Sequence, residues 1–287
     1  MSKLHLLAPT DIDATPLVDG LDRPPWSDRV DLLRLPDRER IVTMLDDGAA
    51  DAALLPTGAL ARRAGALEIV PGIAIGADGP GATARLLHRI PLGDTRTIAS
   101  AAQGHAAETL VMLLFREAGR DPRLVEWPGS LASALDEHDA LLVVGDDALT
   151  FDDAPAARSV DLGEAWSELT GLPFLWSVWA ARPGVIDRAL YGLLHGVRSR
   201  GRHRMLPIVA SFAERHGLVA ETLAERLRSS VTYRLGRRQL DGLRAFWARA
   251  ARHGLLPQGA IPRFVTLDAG KSCREIADRI SRLRRAT

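Results

Sequence analysis

Short apolar runs alternate along this chain with longer amphipathic stretches, and this alternation limits the fold more than any other feature. Buried strands appear in a sequence as apolar runs of about four to eight residues, whereas helices show a longer apolar face of period ~3.6. The pattern therefore predicts an α/β protein that is mainly helical from residue 183 onward. The predicted strands occupy residues 4–8, 30–35, 51–55, 97–100, 124–127 and 140–144.

Length and composition narrow the class further. The 287 residues predict about two globular units, and 37 basic against 36 acidic side chains leave no surplus for general nucleic-acid binding. A lone Cys273 cannot form an internal disulfide, and the eight histidines show no metal-binding spacing, so no metal or other cofactor is expected. No apolar run reaches the roughly 18 residues of a membrane span or forms a signal-peptide core. We therefore predict a soluble, cytoplasmic chain without a membrane partner, whose basic tail, residues 268–287, is a solvated helix.

Polar loops follow several of these strands, at the positions where open α/β sheets bind their ligands. These loops comprise residues 10–13, 56–58, 100–105 and 145–147. If the middle of the chain forms its own lobe, the loops converge on one cleft, and the helix that begins near Gly104 aims free backbone N–H groups at an anion. Two residues have a second interpretation: Asp146 fits a helix cap as well as a ligand contact, and His105 fits a solvent-facing helix start better than a catalytic base.

The sequence predicts two positions at which the chain passes from one lobe to the other. Residues 67–75 and the alternating residues beyond the glycine-rich stretch 76–81 are predicted to form a strand pair joined by that turn, and turn formers near residue 92 end this unit. An apolar run at 174–182 then leads to the helical part. Trp176 and Trp179 lie three residues apart on this predicted strand and should face opposite sides, so one of them could line the cleft.

A longer motif, DLGEAWSELTGLPFLWSVWAAR at residues 161–182, resembles the segment DLGxxWxxxTGLPFxxxxWAxR of the chorismate dehydratases of the futalosine route to menaquinone. Shorter matches accompany it in the right order. Asp78-Gly79 with Ile90-Pro91-Leu92 is similar to the family's DG…VPL, residues 145–149 to its GDxAL, and residues 232–246 to its YxLGxxxLxGLxxF. The likeness covers about residues 4–257, and on it the chain is identified as a member of this family.

The resemblance implies the two-lobed clamshell of type II periplasmic binding proteins, with a discontinuous first lobe. Lobe 1 would comprise residues 1–92 and 180–287, and lobe 2 residues 93–179. The implied activity is that of a carbon–oxygen lyase, which removes water from its small-molecule partner chorismate to give 3-[(1-carboxyvinyl)oxy]benzoate. Because the elimination creates an aromatic ring, the protein has to supply only anion partners for two carboxylates, a proton acceptor and help for the departing hydroxyl. No metal or organic cofactor is implied, and a homodimer is left open.

Two loops depart from the family pattern. DIDATPL stands where the family has YLNxxPL, so Asp13 occupies the position of the active-site asparagine. A carboxylate about 4 Å from a substrate carboxylate would repel it by roughly 4 kcal/mol at an effective dielectric constant of about 20. This repulsion exceeds the net free energy that one hydrogen bond contributes. Asp13, the predicted catalytic residue, must therefore face the leaving hydroxyl, be protonated, or act as the base on the ring proton.

The second departure is AAQGHAA at 101–107, in place of a loop rich in serine and threonine, roughly GSTSRTS. Gln103, His105 and the backbone at Gly104 are predicted to replace the lost donors, and His105 in its protonated form would add a charged partner for an anion. The predicted substrate-binding residues are Thr10, Thr57, Gly58, Thr83, Ser100, Gln103, Gly104, His105, Asp146 and Phe174.

Two other functions stay open at this point. A divergent paralogue would act on another cyclic carboxylate, while a protein without catalysis would keep the clamshell and bind a small anion. The apparent lack of a signal peptide argues against an exported transport receptor.

Overall fold

The computed structural model describes residues 3–100, 104–151 and 158–267. Strands and helices alternate up to residue 181 and helices follow, as the sequence predicts. No helix in these three segments is long and apolar enough to cross a membrane. The strands are β1 (Leu4–Pro9), β2 (Val30–Leu35), β3 (Ala52–Pro56), β4 (Glu68–Ala77), β5 (Ala84–His88), β6 (Thr97–Ser100), β7 (Arg123–Glu126), β8 (Ala140–Val144), β9 (Arg158–Asp161) and β10 (Phe174–Ala181). The helices are α1 (Arg38–Asp46), α2 (Thr57–Ala61), α3 (Ala106–Glu117), α4 (Leu131–Glu137), α5 (Gly145–Thr150), α6 (Leu162–Thr170), α7 (Arg188–His203), α8 (Met205–Arg215), α9 (Ala220–Ser230) and α10 (Arg237–Arg252).

The strands form two separate sheets, one in each lobe, which confirms the predicted α/β clamshell. The first sheet has the order β2-β1-β3-β10-β4, with β1 parallel to its two neighbours and β10 antiparallel to both of its own. The second has the order β7-β6-β8-β5-β9, with β6 parallel to β7 and β8. Because parallel strands end at the same edge of a sheet, the segments after β1 and β3 meet at one edge, and those after β6 and β8 at another.

The chain crosses between the sheets twice. The strand pair predicted around the glycine-rich stretch 76–81 does not form, because β4 belongs to the first sheet and β5 pairs with β8 and β9 in the second. The chain returns to the first sheet through β10, which pairs with β3 and β4. Strand pairing thus divides the chain between β4 and β5 and just before β10, rather than at the predicted limits 92 and 180.

Asp161, the first residue of the long motif, connects the first crossing to the start of α6. Its carboxylate caps α6 by accepting the Gly163 and Glu164 N–H groups at 2.9 and 3.0 Å, and it also accepts the Gly81 and Ala82 N–H groups of the first crossing at 2.9 and 2.8 Å. A side chain at position 163 would overlap the backbone oxygen of Gly79. The first residues of the motif therefore fix the position of the first crossing between the sheets.

The rest of the motif contributes large aromatic side chains to the hydrophobic core. Trp166 is fully buried, with its indole N–H donating to the Pro173 oxygen at 3.2 Å. Its ring meets Phe174 and Phe246 edge-on, with centroids 5.6 and 6.2 Å apart. Phe174 has no exposed surface, so this predicted substrate-binding residue packs in the core instead of facing the cleft.

Candidate functional site

The loop after β1 is held in place by Arg34 of the neighbouring strand β2. The Arg34 guanidinium donates to the backbone oxygens of Pro9, Thr10 and Asp11 at 3.2, 2.9 and 3.2 Å, and to the Thr15 hydroxyl at 2.9 Å. Backbone carbonyls at a strand end need such partners when they leave the sheet. The loop therefore keeps a fixed shape at the edge where the two lobes meet.

This loop touches the second lobe through Asp146. The Asp146 carboxylate, in the first turn of α5, accepts the backbone N–H of Ile12 at 2.7 Å. The residue preceding α5, Val144, makes no side-chain cap. Asp146 therefore does not cap the helix but makes a contact across the lobes, and its contact with a ligand stays a prediction.

Arg38, the first residue of α1, forms an ion pair beside this contact. Its guanidinium donates to the Asp11 carboxylate at 2.6 Å, and the two side chains are only 11% and 13% exposed. Asp37 caps α1 by accepting the Arg40 N–H at 3.0 Å, which fixes where Arg38 leaves the helix. Solvent screens a charged pair only weakly when so little of it is exposed, so Asp11 and Arg38 affect the pKa of neighbouring titratable groups.

Asp13 is buried at the centre of this group. Burial, followed by repulsion from Asp11, raises its carboxyl pKa to about 7, although the positive charge of Arg38 opposes the rise. Burial also raises the pKa of Asp146, to about 6. Two neighbouring carboxyl groups that both titrate near neutral pH are typical of acid–base sites.

His105 lies on the other side of Arg38, at the start of α3. It is 8% exposed, so the predicted solvent-facing position is wrong. Its Nδ1 accepts the Ala107 N–H at 2.9 Å, and its ring centroid lies 5.8 Å from that of Trp176. Burial and the Arg38 charge hold its pKa well below the ordinary value of 6.5, so the predicted protonated form is wrong as well. The ring is neutral and carries its proton on Nε2.

A cavity of about 370 Å³ opens between the lobes next to His105. Its lining includes Gly58 at the start of α2, Glu39 of α1, and Gly104 and Glu108 around the start of α3. Volumes of about 300 to 1,000 Å³ suit small-molecule ligands. The Glu108 carboxylate accepts the Ser100 hydroxyl at 2.8 Å, while burial raises its pKa.

Trp176 supplies an unused donor near this cavity. Its indole nitrogen is buried and has no hydrogen-bond partner among the described residues. A buried N–H without a partner is costly, and a ligand oxygen would satisfy it. Trp179, the other tryptophan that could have lined the cleft, is fully buried.

The remaining predicted residues have structural contacts. The Thr57 hydroxyl is fully buried and donates to the Leu175 oxygen at 2.7 Å, and the Thr83 oxygen accepts the Gly145 N–H at 2.8 Å. Thr10 is exposed at the loop edge. Gln103 lies outside the described residues. The structure thus places Gly58, Gly104 and His105 around the cavity, and Asp13 and Asp146 in a separate buried group. The charge of Arg38 acts on both Asp13 and His105, while Thr57 and Phe174 serve packing.

Sequence reasoning missed Arg34, Arg38 and Glu108. Arg34 and Arg38 flank the end of β2, so the position of polar residues at strand ends is the signal that indicates them. Within residues 3–100, 104–151 and 158–267, no group of three or more histidine, cysteine or acidic side chains could hold a metal ion.

Comparisons with known proteins agree with this architecture. A family model described as "Menaquinone biosynthesis" matches residues 4–252, most of the chain. The chain belongs to this family. A chorismate dehydratase of Thermus thermophilus is 27% identical over 197 residues, which cover 63% of this chain and 72% of the relative. The family resemblance predicted from the long motif is therefore confirmed.

Solved structures show how widely this fold is shared. A protein of Archaeoglobus fulgidus has a TM-score of 0.70 at 18% identity, covering 88% of this chain and 98% of its own. The periplasmic aliphatic sulphonate binding protein of Escherichia coli has a TM-score of 0.65 at 14% identity, covering 94% and 95%. The menaquinone-biosynthesis chain thus has the fold of periplasmic binding proteins.

Replacing Gly145 by alanine should weaken the contact between the lobes. Gly145 has a left-handed φ of +58°, and an added Cβ would overlap the Asp11 carboxylate. Backbone strain of this kind costs about 1 to 3 kcal/mol, and the overlap adds to it. We expect a lower melting temperature and a larger radius of gyration by small-angle X-ray scattering.

Gly217→Ala is the matched control for this variant. Gly217 has a similar φ of +65°, but nothing lies within 4 Å of an added Cβ, so this change carries the backbone strain alone. If both variants lose the same stability and neither changes the radius of gyration, the close approach of Asp11 to Gly145 does not hold the lobes together.

Proposed function

We propose that the chain is a hydro-lyase that converts chorismate into 3-[(1-carboxyvinyl)oxy]benzoate. Membership of the menaquinone-biosynthesis family and the dehydratase relative support the reaction class. The observation that carries the proposal is the buried Asp13 carboxyl where the lobes meet, flanked by Asp11, Asp146 and Arg38. The proposal includes a cytoplasmic location and the futalosine route, as the sequence resemblance implies.

Arg38 and the start of α3 are the proposed partners of the substrate carboxylates. Arg38 uses part of its guanidinium on Asp11 and has further N–H groups to donate, since one guanidinium carries five. The Nε2–H of the neutral His105 ring, at the start of α3, and the unpartnered indole N–H of Trp176 add uncharged donors. These groups replace the hydroxyl-rich loop of the family.

Asp13 is proposed to hold the leaving hydroxyl in its protonated form. A protonated carboxyl and a carboxamide are similar in shape, and both donate a hydrogen bond. Protonated Asp13 can therefore do what the asparagine of the family pattern does, without repelling the dianion. Its raised pKa supplies this form at neutral pH.

Asp146 is the proposed acceptor of the ring proton. The C–H electron pair forms the new ring double bond and the C–O electron pair leaves with the hydroxyl. The departing hydroxide takes up a proton from solvent and leaves as water, and Asp146 returns the ring proton to solvent, so the protons balance. The ring becomes aromatic, which drives the step forward. His105 is not assigned this role because its Nδ1 already accepts the Ala107 N–H and its Nε2 carries a proton.

The pH dependence of kcat/KM tests these assignments. Asp146 must be deprotonated, so the rate should fall as the pH drops through about 6, and Asp13 must be protonated, so the rate should fall as the pH rises through about 7. We expect a bell-shaped profile with apparent pKa values that belong to the coupled pair. A rate that climbs steadily from about pH 6 to about pH 9 would contradict the role of Asp13.

A ligand-binding protein without catalysis is the second candidate. It is favoured by the loop at 101–107, which lacks the hydroxyl donors of the family pattern. A calorimetric binding isotherm for chorismate, without any aromatic product after long incubation, would support this second function over the first.

A further inference from the structure

A second, strongly basic cavity lies in the helical part of lobe 1. It has a volume of about 550 Å³, larger than the cavity between the lobes, and lies where the C-terminal ends of α7 and α9 meet the segment after α9. We call it the arginine pocket. Its basic lining residues are Arg198, Arg202, His203, Arg228 and Arg234.

Little negative charge balances these arginines. Asp78 is the acidic lining residue, and Arg238 already binds both of its carboxylate oxygens, at 2.9 and 2.7 Å. Arg228 faces Glu225 only at 3.8 Å, at the surface. In the described part of the chain, Arg202 and Arg234 form no salt bridge. The nearly neutral chain thus concentrates positive charge at one place.

Arg198 shows that the cluster is electrostatically unsatisfied. Its Nη1 donates to the Gly72 oxygen at 2.6 Å, but its Nε is buried and has no partner among the described residues. Burial and the charges of Arg202 and Arg234 lower its pKa. Like charges held this close repel one another unless an anion lies between them.

The helix ends explain only part of the cluster. Basic side chains are favoured in the last turn of a helix, and Arg202 and Arg228 occupy such positions. Arg198 lies more than a turn before the end of α7, and its hydrogen bond goes to β4 rather than to a helix carbonyl. The helix dipole therefore does not account for Arg198 or for Arg234, which follows α9.

We propose that the arginine pocket binds a small polyanion, a molecule with two or more phosphate or carboxylate groups. Planar guanidinium groups bind both kinds of group through paired N–H donors. The hydroxyls of Ser230 and Thr232 line the same cavity and supply neutral donors beside the arginines. This site is separate from the cleft and does not depend on the dehydratase reaction.

Tyr233 connects the arginine pocket to the candidate active site. This buried side chain lines the pocket, and its hydroxyl donates to the backbone oxygen of Asp13 at 2.9 Å. An anion in the pocket would therefore contact residues one side chain away from the catalytic loop.

Isothermal titration calorimetry on the full chain with pyrophosphate, and separately with citrate, tests the proposal. We expect one equivalent of at least one probe to bind, and the affinity to fall as salt is added. The probe that binds distinguishes phosphate from carboxylate recognition. Arg202→Gln should weaken binding about tenfold, the effect typical of one lost charge-assisted hydrogen bond.

Arg215→Gln is the control, because Arg215 is an exposed arginine on α8 outside the pocket. It should leave the affinity unchanged. Arg202 is exposed, so its replacement should not disturb folding, and a circular dichroism melt checks this. The proposal is overturned if neither probe binds, or if Arg202→Gln and Arg215→Gln change the affinity equally.

Discussion

Replacing Asp13 by alanine is expected to reduce chorismate turnover about 100- to 1,000-fold, the range typical for loss of one hydrogen-bond donor to a developing negative charge. The reason is that protonated Asp13 is the group proposed to hold the departing hydroxyl. Alanine also removes a buried carboxyl that repels Asp11, so the folded chain should not become much less stable. Steady-state kinetics at about pH 6.5, with a thermal melt of each variant, separates the two effects.

Asp13→Asn is the matched variant, since it keeps the shape and the donor but removes the titration. We expect activity similar to that of the parent chain at about pH 6. At about pH 8, only roughly a tenth of Asp13 would remain protonated, so Asp13→Asn should be up to about tenfold faster than the parent. If Asp13→Asn is as inactive as Asp13→Ala across this range, the carboxyl does not act as a hydrogen-bond donor.

The second large effect is expected for Arg38→Gln. This variant removes the proposed partner of a substrate carboxylate and leaves the Asp11 carboxylate, 13% exposed, without its cation. Loss of one partner of a buried ion pair costs about 3 to 5 kcal/mol of folding free energy. We expect kcat/KM to fall at least about 100-fold, mainly through KM, because a charged hydrogen bond to substrate is lost.

The double variant Asp11→Asn/Arg38→Gln separates stability from binding. It should recover much of the folding stability, because no lone charge stays buried, and yet keep the high KM. Arg40→Gln, an exposed arginine on the same helix, controls for the loss of a positive charge and should change neither. A normal KM in the stabilised double variant would exclude Arg38 from substrate binding.

The fold was predictable from local pattern to a large extent. The strand predicted at 30–35 has the observed bounds, and those at 4–8 and 140–144 agree with β1 and β8 within one residue. The error at β4 and β5 arose because a glycine-rich turn between two apolar runs also fits a hairpin. Pairing of β5 with β8 and β9, which are distant in sequence, and the Asp161 contact made across 80 residues show that the segment crosses between lobes.

The candidate site was predictable in part. Strand-end loops correctly indicated Asp13, Asp146 and the start of α3 as neighbours, because the sheet topology brings them together. The protonation of His105 was not predictable, since it depends on burial and on Arg38, which is distant in sequence. The pKa of Asp13 likewise depends on charges from both lobes. Such values follow from tertiary packing, which no local motif records.

The central claim is that this chain converts chorismate through the Asp13 loop. It is tested most directly by incubating the purified parent protein and Asp13→Ala with chorismate, and measuring 3-[(1-carboxyvinyl)oxy]benzoate by liquid chromatography with mass detection. We expect steady formation of this product by the parent chain and a loss of about 100-fold or more in the variant. A folded parent chain that binds chorismate but forms no product would contradict the claim.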